Sequence, residues 1–221
     1  MWIESWRFML YGMGVLLLVG CPGQSTDASA VASGPVASSS TTYKPTPPHP
    51  REVGDQLIGP YVYTVDARSK EIWMYFDFSR ASVVAVQNLK IDDWDLAFRR
   101  HAIRSNGGAT NAAGQAALLR LEGEDLKTVQ EVPKGATFTS DVRAAKRLFP
   151  NNPVVEKWYN YSYISNILIP KPAVYLVRTQ DGKYAKLRLL SYYCEGNISG
   201  CMTFEYVYQG SGSTNLARPK G

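Results

Sequence analysis

Short segments of alternating hydrophobic and polar residues, rich in aromatic side chains, are the feature that most limits how this chain can fold. Residues 72–78 (IWMYFDF) are typical of a β-strand, because aromatic side chains suit a pleated, half-buried surface. The pair Asp181-Gly182 separates two further strand-like segments, 175–179 and 183–193, and strongly predicts a hairpin turn. Nothing repeats at a fixed period, and strands do not alternate with helices. The pattern therefore predicts antiparallel sheets.

Two places in the chain allow a helix. Ser140 or Asp141 is suited to cap a short helix that runs through Leu148 and stops before Pro150. Residues 116–121 fit either a strand or a helical turn. We therefore predict a mostly β chain: a single domain of antiparallel sheets with one or two short helices.

An apolar run near the N-terminus predicts export. Residues 8–19 are apolar apart from two glycines. The run is too short to cross a hydrocarbon core of ~30 Å comfortably, but it has the length of a signal-peptide apolar region. It ends in Leu18-Val19-Gly20-Cys21, which resembles the bacterial lipobox. We predict that residues 1–20 are a lipoprotein signal peptide and that Cys21 carries the lipid. The alternative is an ordinary secretory signal followed by an unmodified cysteine.

Lipidation predicts an exported chain that is anchored to a membrane. More than one acyl chain gives stable anchoring, because each buried methylene contributes about 0.8 kcal/mol. Pro22, which follows Cys21, is not the aspartate that retains lipoproteins at the inner membrane in enteric-type sorting. We therefore expect the outer membrane, at its cell-surface or periplasmic face.

Composition divides the remaining chain into three parts. Residues 21–50 are rich in Ser, Ala and Pro and bury little apolar surface, so we expect a disordered tether. Residues 51–209 contain the strand-like segments and are long enough for one domain with its own core. Residues 210–221 begin Gly-Ser-Gly-Ser and are expected to form a flexible tail.

Two of the three cysteines, Cys194 and Cys201, lie close together at the tip of a predicted hairpin. Exported proteins meet oxidising conditions, which favour a disulfide between them. Metal ligation is the alternative, but no histidine or further cysteine lies nearby to complete four ligands.

The sequence lacks the patterns of most catalytic sites. It contains no G-x-S-x-G, Gly-rich phosphate loop, H-E-x-x-H or paired C-x-x-C, and it has only two histidines. The net charge of +5 is not concentrated in a basic block, so no nucleic-acid partner is expected. We expect no catalytic residue and no metal site. The remaining enzyme hypothesis is a hydrolase that uses His101 with an aspartate.

Residues 99–104 (RRHAIR) form the most basic segment. His101 within it is either a ligand or base, or simply a polar position on a strand. The arginines can bind carboxylates or propionates, or can pair with Asp92, Asp93 and Asp95. We interpret those three aspartates as turn and exposed-face residues.

Tyrosines alternate in residues 158–163 (WYNYSY), which places Tyr159, Tyr161 and Tyr163 on one face of a strand. Such a face either packs on the core or forms the wall of a ligand slot, because tyrosine combines a flat apolar ring with a polar end. Both interpretations stay open at this stage.

Several segments together resemble the HmuY family of haem-binding outer-membrane lipoproteins. They are residues 72–78, 94–100, 104–108, 158–161, 170–171, 175–179, 181–187, 191–193 and 203–206. Their order and spacing cover nearly the whole predicted domain. The resemblance implies a mostly β fold that binds haem through two axial side chains and passes it to a receptor.

The axial ligands that the resemblance implies are paired His or paired Met. One of them corresponds to Asn166 in this chain, and the other falls within residues 131–141, which contain neither residue type. An amide oxygen is a poor iron ligand, whereas tyrosine can ligate ferric haem. We therefore predict a ligand pocket made by Tyr159, Tyr161, Tyr163 and Asn166.

The predicted function is a membrane-anchored, HmuY-like lipoprotein that binds haem or a related porphyrin for acquisition or transfer. Its expected partners are haem or another small ligand, an outer-membrane receptor, and the membrane itself through the lipid. The alternative is a surface lipoprotein that uses the β-scaffold to bind a protein, a glycan or a non-haem ligand.

Overall fold

A computed structural model describes residues 43–145 and 148–217 of the chain. Most of these residues lie in short strands, and the only helix among them is a 3-10 turn, Glu195–Asn197. The strands are β1 (Leu57–Asp66), β2 (Met74–Asp77), β3 (Ser82–Val84), β4 (Leu96–Arg99), β5 (Ala102–Ser105), β6 (Ala117–Glu122), β7 (Tyr159–Ser162), β8 (Ile167–Pro170), β9 (Ala173–Arg178), β10 (Tyr184–Tyr193) and β11 (Ser199–Gln209). Within the described ranges, no helix has the length and apolar character needed to span a membrane.

The strands form three antiparallel sheets. A five-stranded sheet has the order β1-β11-β10-β9-β6, a four-stranded sheet has the order β3-β2-β4-β5, and β7 and β8 form a separate hairpin. Each paired strand runs antiparallel to its neighbour, as the sequence predicts. The hairpin predicted at Asp181-Gly182 joins β9 to β10, with Gly182 at a φ of 78° that glycine adopts without strain.

Aromatic side chains join the two larger sheets into one core. Phe76 of the four-stranded sheet packs edge-to-face on Tyr63 and Phe204 of the five-stranded sheet, with ring centroids 4.9 and 5.2 Å apart. Phe98 stacks on the same Phe204 ring at 5.5 Å. Alternating positions of β2, β4 and β11 therefore meet across the interior, as their two-residue periodicity requires.

The outer face of the five-stranded sheet is also covered. Val174 and Leu176 of β9 point away from the main core and pack with Val129 and Leu216, which come from the loop after β6 and from the C-terminal segment. Because both faces of β9 are buried, its sequence is almost continuously hydrophobic instead of alternating.

The C-terminal segment differs from the flexible tail predicted over residues 210–221. As far as residue 217, where the description ends, it packs on the domain. Leu216 is completely buried, and its N–H donates to the carbonyl of Gln130 at 2.8 Å. Gly210 donates in the same way to Gln56 at 2.9 Å. The segment packs because one leucine completes the second core, a tertiary effect that its polar composition conceals.

Residues 43–50, the last part of the predicted tether, also contact the domain. The N–H of Thr46 donates to the carbonyl of Thr64 at 2.8 Å, and the N–H of Thr64 donates to the hydroxyl of Thr46 at 3.0 Å. Tyr43 forms a bridge with Cys194. This segment satisfies part of the free edge of β1, while its prolines, which lack an N–H, prevent a regular strand. Residues 1–42, including the predicted signal peptide and Cys21, lie outside the described residues.

The helix predicted from Ser140 or Asp141 to Leu148 is absent from the described part of that segment. Asp141 is buried and accepts hydrogen bonds from the N–H and hydroxyl of Ser105, at 2.9 and 2.7 Å. The side chain that would cap a local helix therefore binds a distant strand instead. Residues 116–121, left open between strand and helix, belong almost entirely to β6 (Ala117–Glu122), at the edge of the larger sheet.

Candidate functional site

The basic segment, residues 99–104, contains a tight turn between β4 and β5. Arg99 pairs with Ala102, so Arg100 and His101 make the turn, and Arg100 has a φ of 53°. The N–H of Arg100 donates to the carbonyl of Ala67 at 2.7 Å. These contacts hold an arginine in a backbone region that non-glycine residues seldom adopt.

The side chain of Arg100 fixes this turn to the other sheet. Its guanidinium donates to the carbonyl of Ser199 at 3.0 Å, to the Ser199 hydroxyl at 2.6 Å and to the carbonyl of Arg68 at 3.1 Å. Gly200 allows this approach, because a Cβ there would lie 2.7 Å from the Cα of Arg68. The basic turn is therefore held rigidly against β11.

Two other arginines stack on aromatic rings instead of pairing with aspartates. The guanidinium carbon of Arg99 lies 4.6 Å from the centroid of Trp73 and 4.4 Å from that of Phe149. Arg104 lies 4.0 Å from the Trp73 ring and donates to the hydroxyl of Tyr75 at 3.1 Å. Burial lowers the pKa of Arg104 by removing water from its charge.

Of the aspartates interpreted as turn and exposed-face residues, Asp95 differs from that interpretation. Asp95 is buried, and its carboxylate accepts the N–H groups of Phe78 at 2.8 Å and Gln180 at 2.7 Å. Burial raises its pKa well above the ordinary value, and the nearby Asp77 carboxylate adds to that shift. Asp95 thus joins strands in the interior and is not a partner of the arginines, which corrects the exposed-face interpretation. Asp92 does lie in a turn, where it accepts two backbone N–H groups.

The root of the β7–β8 hairpin packs against the basic turn. Trp158 is buried and its indole N–H donates to the carbonyl of His101 at 2.9 Å. The ring of Tyr159 lies edge-on to that of His101, with centroids 5.8 Å apart, and Tyr192 lies on the same side at 6.4 Å. Residues separated by more than fifty positions therefore meet at one surface.

A cavity of about 260 Å³ lies at this junction, and we call it the turn cavity. Its charged and ionisable lining consists of Lys70, Arg99, Arg100, His101 and Glu156. Phe149, Tyr159, Asn151, Ala102 and Ile103 complete the wall. A concave site with aromatic walls and an excess of positive charge suits a flat ligand that carries acid groups.

The four residues predicted to form one ligand pocket are divided between two places. Tyr159 lines the turn cavity, whereas Tyr161, Tyr163 and Asn166 lie toward the far end of the hairpin. There the Tyr161 hydroxyl donates to the amide oxygen of Asn166 at 2.7 Å, and the Tyr161 and Tyr163 rings meet edge-to-face at 4.9 Å. Asn166 has a φ of 55°, as expected for a turn residue. None of these three lines the turn cavity.

Sequence reasoning missed the neighbours of Tyr159. Arg99 and Arg100 were noted for their charge, but nothing local to them points to Tyr159, and Lys70 and Phe149 carry no signal of their own. The predicted disulfide is confirmed: Cys194 and Cys201 are bonded, with Cα atoms 5.0 Å apart. Across the described ranges, no group of three or more His, Cys, Asp or Glu side chains is arranged to hold a metal ion.

The described residues form an antiparallel β fold with a concave, aromatic-lined and mainly cationic cavity at its surface. The chain belongs to the HmuY family, because residues 69–206, more than half of it, match the family model described as HmuY protein. No curated protein sequence matches the chain at a significant level.

Solved structures share this fold at low sequence identity. The apo HmuY analogue TFO of Tannerella forsythia is 17% identical with a TM-score of 0.56, over 72% of this chain and 99% of that one. A candidate lipoprotein of Bacteroides fragilis is 24% identical with a TM-score of 0.55, over 72% and 95%. A candidate HmuY-like haem-binding protein of Bacteroides vulgatus is 24% identical with a TM-score of 0.53, over 67% and 91%.

Proposed function

We propose that this protein is a membrane-anchored lipoprotein that binds haem or a related porphyrin, for acquisition or transfer to an outer-membrane receptor. The observation that carries the proposal is the turn cavity, where Tyr159 and His101 lie beside Arg99 and Arg100. A porphyrin is a flat apolar ring with two acid groups, so it matches aromatic walls next to cations. Family membership and the Bacteroides vulgatus neighbour support the same ligand class.

The iron ligands must differ from those that the family resemblance implies. The amide oxygen of Asn166 already accepts the Tyr161 hydroxyl, and residues 131–141 contain neither His nor Met. His101 and Tyr159 are side chains of the types that ligate haem iron, and both line the turn cavity. We therefore propose that either His101 or Tyr159 ligates the iron.

A spectroscopic titration tests the proposal. Ferric haem added to the purified full-length chain should shift the Soret band and saturate at one haem per chain. His101→Ala or Tyr159→Phe should alter the bound spectrum, whereas the matched variants Tyr161→Phe and Tyr163→Phe should leave it unchanged. No Soret shift at micromolar haem, in either redox state, would reject haem binding.

The membrane anchor is a separate part of the proposal. It rests on Cys21, which follows the apolar run directly, and it is supported by the candidate lipoprotein of Bacteroides fragilis that shares the fold. The mature protein should begin at Cys21 and carry the mass of a diacylglycerol group. Cys21→Ser should release the protein from the membrane fraction, and retention of this variant would contradict the anchor.

One observation favours the alternative function, an interaction module for a protein, a glycan or a non-haem ligand. Tyr163 and Ile164, at the end of the β7–β8 hairpin, are 86% and 98% exposed. Large apolar side chains at such a projecting position are typical of contact residues. Co-purification of one membrane protein that is lost in a Tyr163→Ser, Ile164→Ser variant, together with a negative haem titration, would favour this function.

A further inference from the structure

We propose that the turn cavity recognises its ligand by the ligand's acid groups, through Lys70, Arg99 and Arg100, and so binds a metal-free dicarboxylic porphyrin as well as haem. The inference rests on the proposed function, because it concerns the same site and the same ligand class. It goes further by assigning recognition to the organic part of the ligand instead of its iron.

The charge of the lining supports recognition of an anion. Lys70, Arg99 and Arg100 are cationic, and Glu156 is the only carboxylate among the residues that line the cavity. Beside the rings of Phe149 and Tyr159, this excess charge acts on a ligand with less screening than it would in open water.

Arg99 keeps most of its hydrogen-bonding capacity for a ligand. Its guanidinium contacts the rings of Trp73 and Phe149, which meet edge-to-face with centroids 5.1 Å apart and so lie on one side of it, leaving N–H groups on the other side. Its only acceptor in the described ranges is the carbonyl of Glu71, at 3.3 Å. Because contact with the two rings restricts the movement of the guanidinium, a carboxylate that reaches its open side meets a donor already held in position.

Arg100 and Lys70 contribute in different ways. Arg100 is fixed by its three bonds to Ser199 and Arg68, so it supplies a steady positive charge and its remaining N–H groups. Lys70 is exposed at the rim of the cavity, where it can move to meet an acid group. A rigid pair of arginines with one mobile lysine suits a ligand with two carboxylates.

The positions at which the family resemblance implies iron ligands support the same conclusion. Neither Asn166 nor residues 131–141 supply a His or Met, so strong coordination from those positions is absent in this sequence. The ring faces and the acid groups must then supply a larger share of the affinity. Removing the iron should therefore weaken binding less than neutralising the acids does.

Three probes distinguish these contributions: haem, metal-free protoporphyrin and protoporphyrin dimethyl ester. Each is titrated into the full-length chain, and binding is followed by the quenching of tryptophan fluorescence. We expect protoporphyrin to bind and the ester to bind at least about tenfold more weakly, as expected when charge-assisted hydrogen bonds are lost.

Variants connect this difference to the proposed residues. Arg99→Gln should weaken protoporphyrin binding about tenfold and Lys70→Gln about threefold, with little effect on the ester. Lys90→Gln, which removes an exposed charge that does not line the cavity, is the matched control and should change neither Kd. If Arg99→Gln fails to fold, Lys70→Gln still tests the proposal, because Lys70 is exposed and its substitution should not disturb folding.

The outcomes separate the two proposals. If none of the three probes binds, the proposed function fails. If haem binds but protoporphyrin does not, or the ester binds as tightly as the acid, the function stands and this inference is overturned. Unchanged protoporphyrin binding in both Lys70→Gln and Arg99→Gln would overturn it equally.

Discussion

Truncation of Leu216 to alanine tests whether the C-terminal segment is part of the folded domain. Leu216 is completely buried among Val129, Val174 and Leu176, although it lies only five residues from the end of the chain. Full burial of a leucine side chain contributes about 1.5–3 kcal/mol, and the cavity left after truncation adds to the loss. The substitution should therefore lower the free energy of unfolding by about 2–4 kcal/mol.

The loss has an upper limit set by the position of Leu216. If residues 210–217 detach locally, the cost cannot exceed the free energy with which they dock on the domain. Urea unfolding followed by tryptophan fluorescence measures the change, and Leu148→Ala is the matched control. Leu148 is 96% exposed, so its truncation should cost less than about 0.5 kcal/mol. Equal midpoints for the two variants would refute the packing of this segment.

Three further predictions concern the interior, the disulfide and the stacked arginines. The raised pKa of Asp95 means that the folded state keeps a proton which the unfolded state loses above about pH 4, so the free energy of unfolding should fall as the pH rises from there. Asp95→Asn should flatten that fall in denaturant titrations between about pH 4 and 7, and an unchanged slope would contradict the buried position of Asp95. Under non-reducing mass spectrometry the exported protein should be two hydrogens lighter than its reduced form, and two free thiols would exclude the bond between Cys194 and Cys201. Cys194→Ser should lower the free energy of unfolding by about 2 kcal/mol. Trp73→Leu keeps an apolar side chain but removes the π face under two guanidinium groups, so it should cost about 1–2 kcal/mol in thermal unfolding, and a neutral result would show that the stacking contributes nothing.

Local patterns predicted several of the strands. The segment 72–78 contains β2, and the Asp181-Gly182 turn joins β9 to β10. These elements could be read from the sequence because alternation and turn chemistry are properties of neighbouring residues. Which strands pair is not such a property: β1 and β2 follow each other in the chain yet lie in different sheets.

The wrong expectations share one cause. Asp141 was suited to a helix cap and Asp95 to an exposed face, but each is buried as an acceptor for backbone N–H groups of residues far along the chain. Leu216 and Thr46 lie in segments of polar or proline-rich composition and are nonetheless held by the sheet. A single favourable contact with a distant element can outweigh the local preference of a whole segment, because local propensities amount to only tenths of a kcal/mol per residue.

The candidate site illustrates the same division. The sequence by itself determined the antiparallel β class, the disulfide between Cys194 and Cys201, and the HmuY resemblance, since each depends on patterns and spacings along the chain. Tyr159 stays a ligand-pocket candidate. Only the tertiary structure brought His101 against Tyr159 and placed Arg99 against the paired rings of Trp73 and Phe149. A binding cavity is made where separate strands and loops meet, and those meetings are decided by how the sheets pack around their aromatic core.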